Sequence, residues 1–355
     1  MLLVVFGAGA SYDSVLQLPP PPPEWIKGTS IRRIQQYGSH EEFRPPLANQ
    51  LFDDRPLFVT SMQKFSDCMP LVNLLRGDVQ VEQKLAKFEA EAETFPPRHR
   101  QLTAIRYYLH EVLWKCQKRW REQHGGITNY STFLDAVEHW RHENNEKVCY
   151  VTFNYDTMLE ESIESRWRIP FSDFSSYITP HYLTLIKLHG SIDWGLEFET
   201  YPLNRPFSFD EVISESARGL NLSNRFRKIR HAPVTFDDGK IGFPALAIPV
   251  EKKREFNCPP EHLRALAEVL PRVTKMITIG WRATEQHFLD MLKKRLSGLP
   301  GDVDLMTVSG TLGGARDTVN NLAIDNSARR KRELKANGFS GLIMEIDQLE
   351  AFLRA

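Results

Sequence analysis

The chain opens on six apolar residues, Met1-Leu-Leu-Val-Val-Phe6, and breaks at once into Gly7-Ala-Gly-Ala-Ser11. A continuous apolar run ended by glycine predicts a strand buried on both faces. Such strands belong to parallel sheets covered by helices on both sides. Further short apolar runs continue the theme at Lys147–Phe153, Leu183–Leu188, Ala245–Val250, Lys275–Ile279, Val303–Val308 and Gly341–Ile346. Helical patterns at Pro260–Leu270 and Glu285–Leu296 separate several of them. Strands alternating with helices predict an α/β fold, a doubly wound, mostly parallel, Rossmann-like sheet of about six strands.

A large helical insertion is expected from about residue 57 to 145. Its clearest face carries Leu102, Ile105, Leu109, Val112, Leu113, Cys116 and Trp120, and Gly125-Gly126 stops it. Phe133, Leu134, Val137 and Trp140 repeat the pattern. Arg44–Phe52 reads as a proline-led helix start, Pro19–Pro23 as an extended loop, and residues 201–242 as an irregular excursion. The whole of 1–355 is expected to form one domain.

Composition removes several function classes. Lys plus Arg is 45 and Asp plus Glu is 45. A nucleic-acid binder shows a basic excess, so direct nucleic-acid binding is not expected. The runs Arg225–Arg230 and Arg329–Arg332 read as solvated faces or contacts to acidic partners. Cys68, Cys116, Cys149 and Cys258 form no C-x-x-C pair. That argues against a zinc ribbon or a disulfide framework, and no metal is expected. His139 and His142 lack a third ligand and read as surface residues. No stretch approaches 18 apolar residues and no signal-peptide pattern opens the chain, so no membrane association is expected and the cytoplasm is the default compartment.

Three short segments can carry chemistry. Gly7-Ala-Gly-Ala-Ser11 follows the first strand, where doubly wound sheets hold phosphate. It lacks the third glycine of the dehydrogenase fingerprint, since Tyr12 stands there, and it is no P-loop. Its bland alternative is a tight strand-to-helix turn. Thr152-Phe-Asn-Tyr-Asp156 ends the next strand. Asn154 interrupts an otherwise apolar run, and Asp156 can fix a hydroxyl or cap the helix that follows. Lys187-Leu-His-Gly190 ends another strand and offers His189 as a base, with Gly190 leaving space beside the imidazole.

In this order, G-A-G-A-S, T-F-N-Y-D and L-H-G-S resemble the sirtuin-like fold, in the branch of NAD-consuming proteins of bacterial anti-phage defence. Arg44-Pro-Pro-Leu, Ile277-Thr-Ile-Gly-Trp-Arg and Val308-Ser-Gly310 are similar to further parts of that branch, so the resemblance spans residues 2 to about 325. Two departures stand out. The four-cysteine zinc module of deacylating sirtuins is absent, and Gly280-Trp281-Arg282 replaces a small G-x-S turn. The resemblance implies an NAD hydrolase that releases nicotinamide and ADP-ribose. Asn154 and His189 would be catalytic. Gly7, Ala8, Gly9, Ala10 and Ser11 would take the pyrophosphate, Asp156 the ribose or carboxamide, and Gly280 and Ser309 the adenosine side. It also implies a homo-oligomer gated by a partner, such as a hexameric DNA-translocase-type ATPase. A non-catalytic sensor of NAD-derived nucleotides and a protein deacylase or ADP-ribosyl transferase are the alternatives.

Overall fold

The computed structural model describes residues 1–14, 40–78, 80–124, 126–179, 183–199, 208–229, 234–248, 256–296, 303–322 and 332–355. The expected loop at Pro19–Pro23 and most of the run Arg329–Arg332 lie outside them.

The first strand, β1 (Leu2–Phe6), is buried at all five residues. It sits inside a seven-stranded sheet, as a run apolar on both faces requires. The other strands in chain order are β2 (Val148–Thr152), β3 (Ile178–Thr179), β4 (Leu183–Lys187), β5 (Gly190–Phe198), β6 (Leu222–Lys228), β7 (Phe243–Leu246), β8 (Lys275–Ile279), β9 (Asp304–Val308) and β10 (Arg332–Lys335). The large sheet runs β10-β9-β8-β1-β2-β4-β3. Among its described strands, only β3, at the edge, is antiparallel to its neighbour. This is the doubly wound, mostly parallel, Rossmann-like architecture.

Register aligns the ends that matter. Phe6 lies opposite Thr152 on β2 and opposite Ile279 on β8. From β1 the chain builds outward through β2 and β4, then returns to β8 on the other side. The order therefore reverses between β1 and β8, and a crevice opens at their carboxyl ends.

The insertion between β1 and β2 is helical, as expected. After α1 (Ala8–Tyr12) come α2 (Pro56–Lys64), α3 (Met69–Leu75), α4 (Val81–Ala92), α5 (Pro97–His124) and α6 (Asn129–Asn144). Later helices are α7 (Met158–Trp167), α8 (Phe209–Glu215), α9 (Pro260–Val269), α10 (Gln286–Leu296), α11 (Leu312–Leu322), α12 (Gly338–Met344) and α13 (Ile346–Arg354). Two apolar cores result. One joins the large sheet to residues of α6, α7, α9, α10, α12 and α13. The other joins α2 to α5 with residues of β5, β7 and α8. Helix α5 is the post of the second core. Its Tyr108 hydroxyl donates to the Leu51 carbonyl at 2.7 Å, its Tyr107 hydroxyl to Gly242 at 2.7 Å, and its Arg106 guanidinium to Leu246 at 2.8 Å.

Five expectations are corrected. The run at Ala245–Val250 does not join the parallel sheet. It contributes to β7, which pairs antiparallel with β5 in a separate sheet ordered β6-β5-β7. The cause lies at Gly190, whose φ is +84° and whose absent Cβ makes room for the Ala245 carbonyl oxygen. The glycine thus admits neighbouring backbone rather than freeing space for the imidazole. Gly341–Ile346 is helical, within α12 and the start of α13, because the Asp13 carboxylate accepts the Ser340 amide at 2.8 Å and Phe339 and Leu342 bury one face. The edge of the sheet is taken by β10, a half-buried Arg-Glu-Leu-Lys. Part of 201–242 is regular, in α8 and β6, and Arg44–Phe52 carries only a 3₁₀ turn at Ala48–Gln50.

Candidate functional site

The ends of β1, β2, β4, β8 and β9 enclose a cavity of about 500 Å³, within the range of small-molecule and cofactor sites. Gly7, Ala8, Gly9, Ser11, Asn154, Asp156, His189, Gly280 and Ser309 all line it. Ala10 is the exception and lies fully buried in the core. The insertion supplies the opposite wall through Pro45, Leu47, Leu51, Glu82, Leu113, Cys116 and Gln117. The cavity therefore lies at the seam of the two cores. Gln117 closes part of that seam, its Oε1 accepting the Thr157 amide at 2.7 Å.

The glycine loop is built differently from the expectation. The Gly7 amide donates to the Ile279 carbonyl at 3.0 Å and the Gly9 amide to the Gly280 carbonyl at 3.0 Å. The Ala10 amide donates to Gly7 at 2.9 Å. These three amides are engaged and do not face an anion. The Ala8 amide, first in its helix, has no intrahelical acceptor. The glycines allow two backbones to touch: a Cβ on Gly7 or Gly9 would lie 2.6 Å and 2.9 Å from atoms of Gly280 or Trp281.

Asn154 is buried, and its Nδ2 donates to the Ser11 hydroxyl at 2.9 Å and the Tyr130 hydroxyl at 3.2 Å. Its Oδ1 is buried, with no hydrogen-bond partner among the described residues. Ser11 and Tyr130 are themselves 3.0 Å apart. Asp156 is half-buried and lines the cavity, and its Oδ1 accepts the Met158 amide at 3.1 Å, at the start of the helix that follows.

His189 is 7% exposed. Its ring meets Phe153 edge-on at 4.8 Å, and Phe153 stacks on Trp281 at 5.4 Å and 8°. Trp281 donates its indole N–H to Glu285 at 2.6 Å. Trp281 is thus a packed wall of the cavity, 3% exposed.

Beneath the strand ends lies a residue pair that sequence reasoning missed. Lys187, fully buried, sits 2.8 Å from Glu160 and donates to the Asp156 carbonyl. It ties the Asn154–Asp156 segment to the strand carrying His189. Burial pushes the Glu160 carboxyl up, against the pull of Lys187. The sequence signal was a lysine in an otherwise apolar strand. Tyr130 was also missed as a site residue; its signal was a phenol on a buried helix face, which needs a partner.

The chain is similar to solved Sir2 structures. One is Sir2 with an inhibitor, 2′-O-acetyl-ADP-ribose and a deacetylated p53 peptide, at 12% identity and a TM-score of 0.37, with 99% of this chain and 94% of that chain covered. Another is Sir2 with a p53 peptide and NAD+, at 11% identity and 0.38, covering 99% and 93%. A third, Sir2Tm bound to a propionylated peptide, stands at 11% and 0.37, covering 99% and 94%. No protein-family model and no curated protein matches the chain. Scores of this size register a likeness in fold and carry no argument about chemistry.

The chemistry comes from the lining itself. Among the described residues, four lining side chains are carboxylic acids, Asp13, Glu82, Asp156 and Glu285, against one guanidinium, that of Arg282. Burial pushes the Cys116 thiol up to about 12, which removes it as a nucleophile. Among the described residues no group of three or more His, Cys, Asp and Glu is placed to hold a metal ion. No helix among them is long and apolar enough to cross a membrane. His139 and His142 are exposed beside Glu143 and Glu138.

Proposed function

We propose that the cavity binds NAD and cleaves its nicotinamide–ribose bond. The observation that carries this is convergence: segments from four strand ends, separated by most of the chain, bring Ser11, Asn154, His189 and Ser309 to one enclosed space at the switch point. The bond breaks through an oxocarbenium-like state, and nicotinamide leaves with the bonding electron pair. Water adds at the ribose carbon and His189 takes its proton. The Asn154 amide oxygen orients that water or a ribose hydroxyl. The four carboxylic side chains suit a ligand with a cationic pyridinium end. Positioning and exclusion of bulk water supply much of the rate.

A second reading is a protein deacylase, in which an acyl-peptide oxygen replaces water. A nucleotide sensor is the third. The experiment separates them. Purified protein is incubated with NAD, with and without an acetylated peptide, and products are resolved by chromatography. Equal nicotinamide and ADP-ribose without peptide support hydrolysis. O-acetyl-ADP-ribose formed only with peptide supports the deacylase, and binding without turnover supports the sensor. Asn154→Ala and His189→Ala are each expected to lower turnover by ~10²–10⁴ while the circular dichroism spectrum is kept.

The resemblance adds a setting to this proposal: a cytoplasmic anti-phage NADase, restrained alone and released by self-association or by a hexameric ATPase partner. Light scattering, with NADase assays at several concentrations and with the ATPase added, tests it. A monomer with full, concentration-independent activity overturns it.

A further inference from the structure

The three-way contact of Ser11, Tyr130 and Asn154 can be counted in protons. The atoms Ser11 Oγ, Tyr130 Oη and Asn154 Nδ2 lie pairwise at 2.9, 3.0 and 3.2 Å. Each contact at these distances needs one hydrogen between its heavy atoms. The two hydroxyls own one hydrogen each, and an amide nitrogen owns two. With Nδ2 toward the hydroxyls, four hydrogens serve three contacts and one is left over. With the amide reversed, only two hydrogens would serve three contacts, and one pair of oxygens would face each other bare. The count therefore fixes the amide orientation and leaves Oδ1 as the outstanding acceptor, which agrees with its lack of a partner among the described residues.

The leftover hydrogen can also be assigned. Tyr130 is 1% exposed and does not line the cavity, whereas Ser11 does. Burial holds the Tyr130 phenol well above its ordinary value, so it keeps its proton. Its O–H has Ser11 Oγ as its hydrogen-bonding partner, since Asn154 Nδ2 is itself a donor. The Ser11 proton is then the one left for a ligand.

We infer that Tyr130 is a positioning residue: it donates to Ser11, and so presents the Ser11 hydroxyl as a donor and the Asn154 amide oxygen as an acceptor to whatever occupies the cavity. The ligand class follows. It carries an oxygen acceptor, of a phosphate or ribose, within reach of a hydroxyl donor. This deepens the NAD reading and rests on it for the identity of the ligand. It does not rest on it for the network. Tyr130 sits on α6, packed edge-on against Phe6 at 5.1 Å and Phe339 at 5.3 Å, so the ring has one place to lie.

The test uses Tyr130→Phe, which keeps those ring contacts, and Ser11→Ala, alone and combined. Thermal melting checks the fold of each. NAD affinity is read by calorimetry, and kcat and KM by nicotinamide release. Tyr130→Phe is expected to weaken NAD binding about tenfold, Ser11→Ala by at least as much, and the double variant no more than Ser11→Ala alone, because both act through one hydroxyl. Additive losses, or no loss in Tyr130→Phe with an active wild type, overturn the inference. A ligand-free arm keeps the two proposals apart. In protein labelled with ¹⁵N-asparagine, the Asn154 side-chain amide signals, assigned by their loss in Asn154→Asp, are expected to shift in both variants and to exchange slowly with solvent. If wild-type protein ignores NAD yet these signals shift, the NAD reading fails and the network stands. If they do not respond to Tyr130→Phe, the network fails.

Discussion

A methyl group on Gly280 would sit 2.3 Å from the Ala10 amide nitrogen and 2.4 Å from the Gly9 carbonyl carbon. Its φ of +60° adds a second objection to any side chain. Neither neighbour can yield, since both are backbone in the loop that walls the cavity. Gly280→Ala is therefore expected to cost ~1–3 kcal/mol of stability from backbone strain alone and, on the NAD reading, to reduce NAD turnover by displacing the loop. Urea unfolding and nicotinamide release measure the two effects; an unperturbed variant would mean the loops do not touch. At this scale much of the site was legible. Asn154 and His189 stood out because a polar residue at the end of an apolar strand demands a reason. The amides of Gly7 and Gly9 misled, because a glycine tolerated for an anion and one tolerated for another backbone look alike in sequence. Tyr130 escaped because its partner Ser11 lies 119 positions away, on an element that reads only as a buried helix face.

Elements with uniform apolar faces were legible and mixed ones were not. β1, β2, β4, β8 and β9 follow from their runs of buried residues, whereas β10 is a charged edge strand with no such run. The apolar run in α12 fits a strand or a helix by pattern alone, and a distant cap from Asp13 decides it. The polar side chains that join elements were equally silent, and two of them carry a measurable consequence. His110 on α5 is fully buried with its Nε2 donating to the Ile192 carbonyl at 2.7 Å, and burial pushes its pKa down to about 4. Burial, helped by Lys187 and Lys228, pushes His262 on α9 down to about 3. Unfolded histidine titrates near ~6.5. Between those values the unfolded chain binds protons that the folded chain refuses, so stability falls as pH drops below about 6.5 and levels off only below the folded values. Glu160, with its carboxyl pushed up, contributes with the opposite sign. A difference measurement isolates one histidine. In His110→Gln, whose amide can still donate to Ile192, the slope of unfolding free energy against pH near pH 5 is expected to be shallower by about 1.4 kcal/mol per unit. Identical slopes would show that His110 accepts a proton in the folded state.

Across the whole molecule positive and negative side chains balance at 45 each, but the cavity does not share that balance. Its described lining sets the carboxylic side chains of Asp13, Glu82, Asp156 and Glu285 against Arg282. Low-dielectric walls on both sides of a seam concentrate such a field more than an open surface does. A dinucleotide with a cationic pyridinium at one end and a bridging pyrophosphate carries little net charge and can be oriented by it, pyridinium toward carboxylates and pyrophosphate toward Arg282. A second phosphate on the adenosine ribose adds about −1.5 to −2 charges, with no further Lys or Arg in the described lining to meet it. On the NAD reading, NADP is therefore expected to bind about tenfold or more weakly than NAD at low salt. Because the Debye length shrinks from about 30 Å at 0.01 M to about 8 Å at 0.15 M, the gap is expected to narrow as salt is added. Calorimetric titration with both dinucleotides at the two ionic strengths measures it. Equal affinities at low salt would mean that the carboxylates are neutralised or turned away from the ligand, and would remove the field as a source of selectivity.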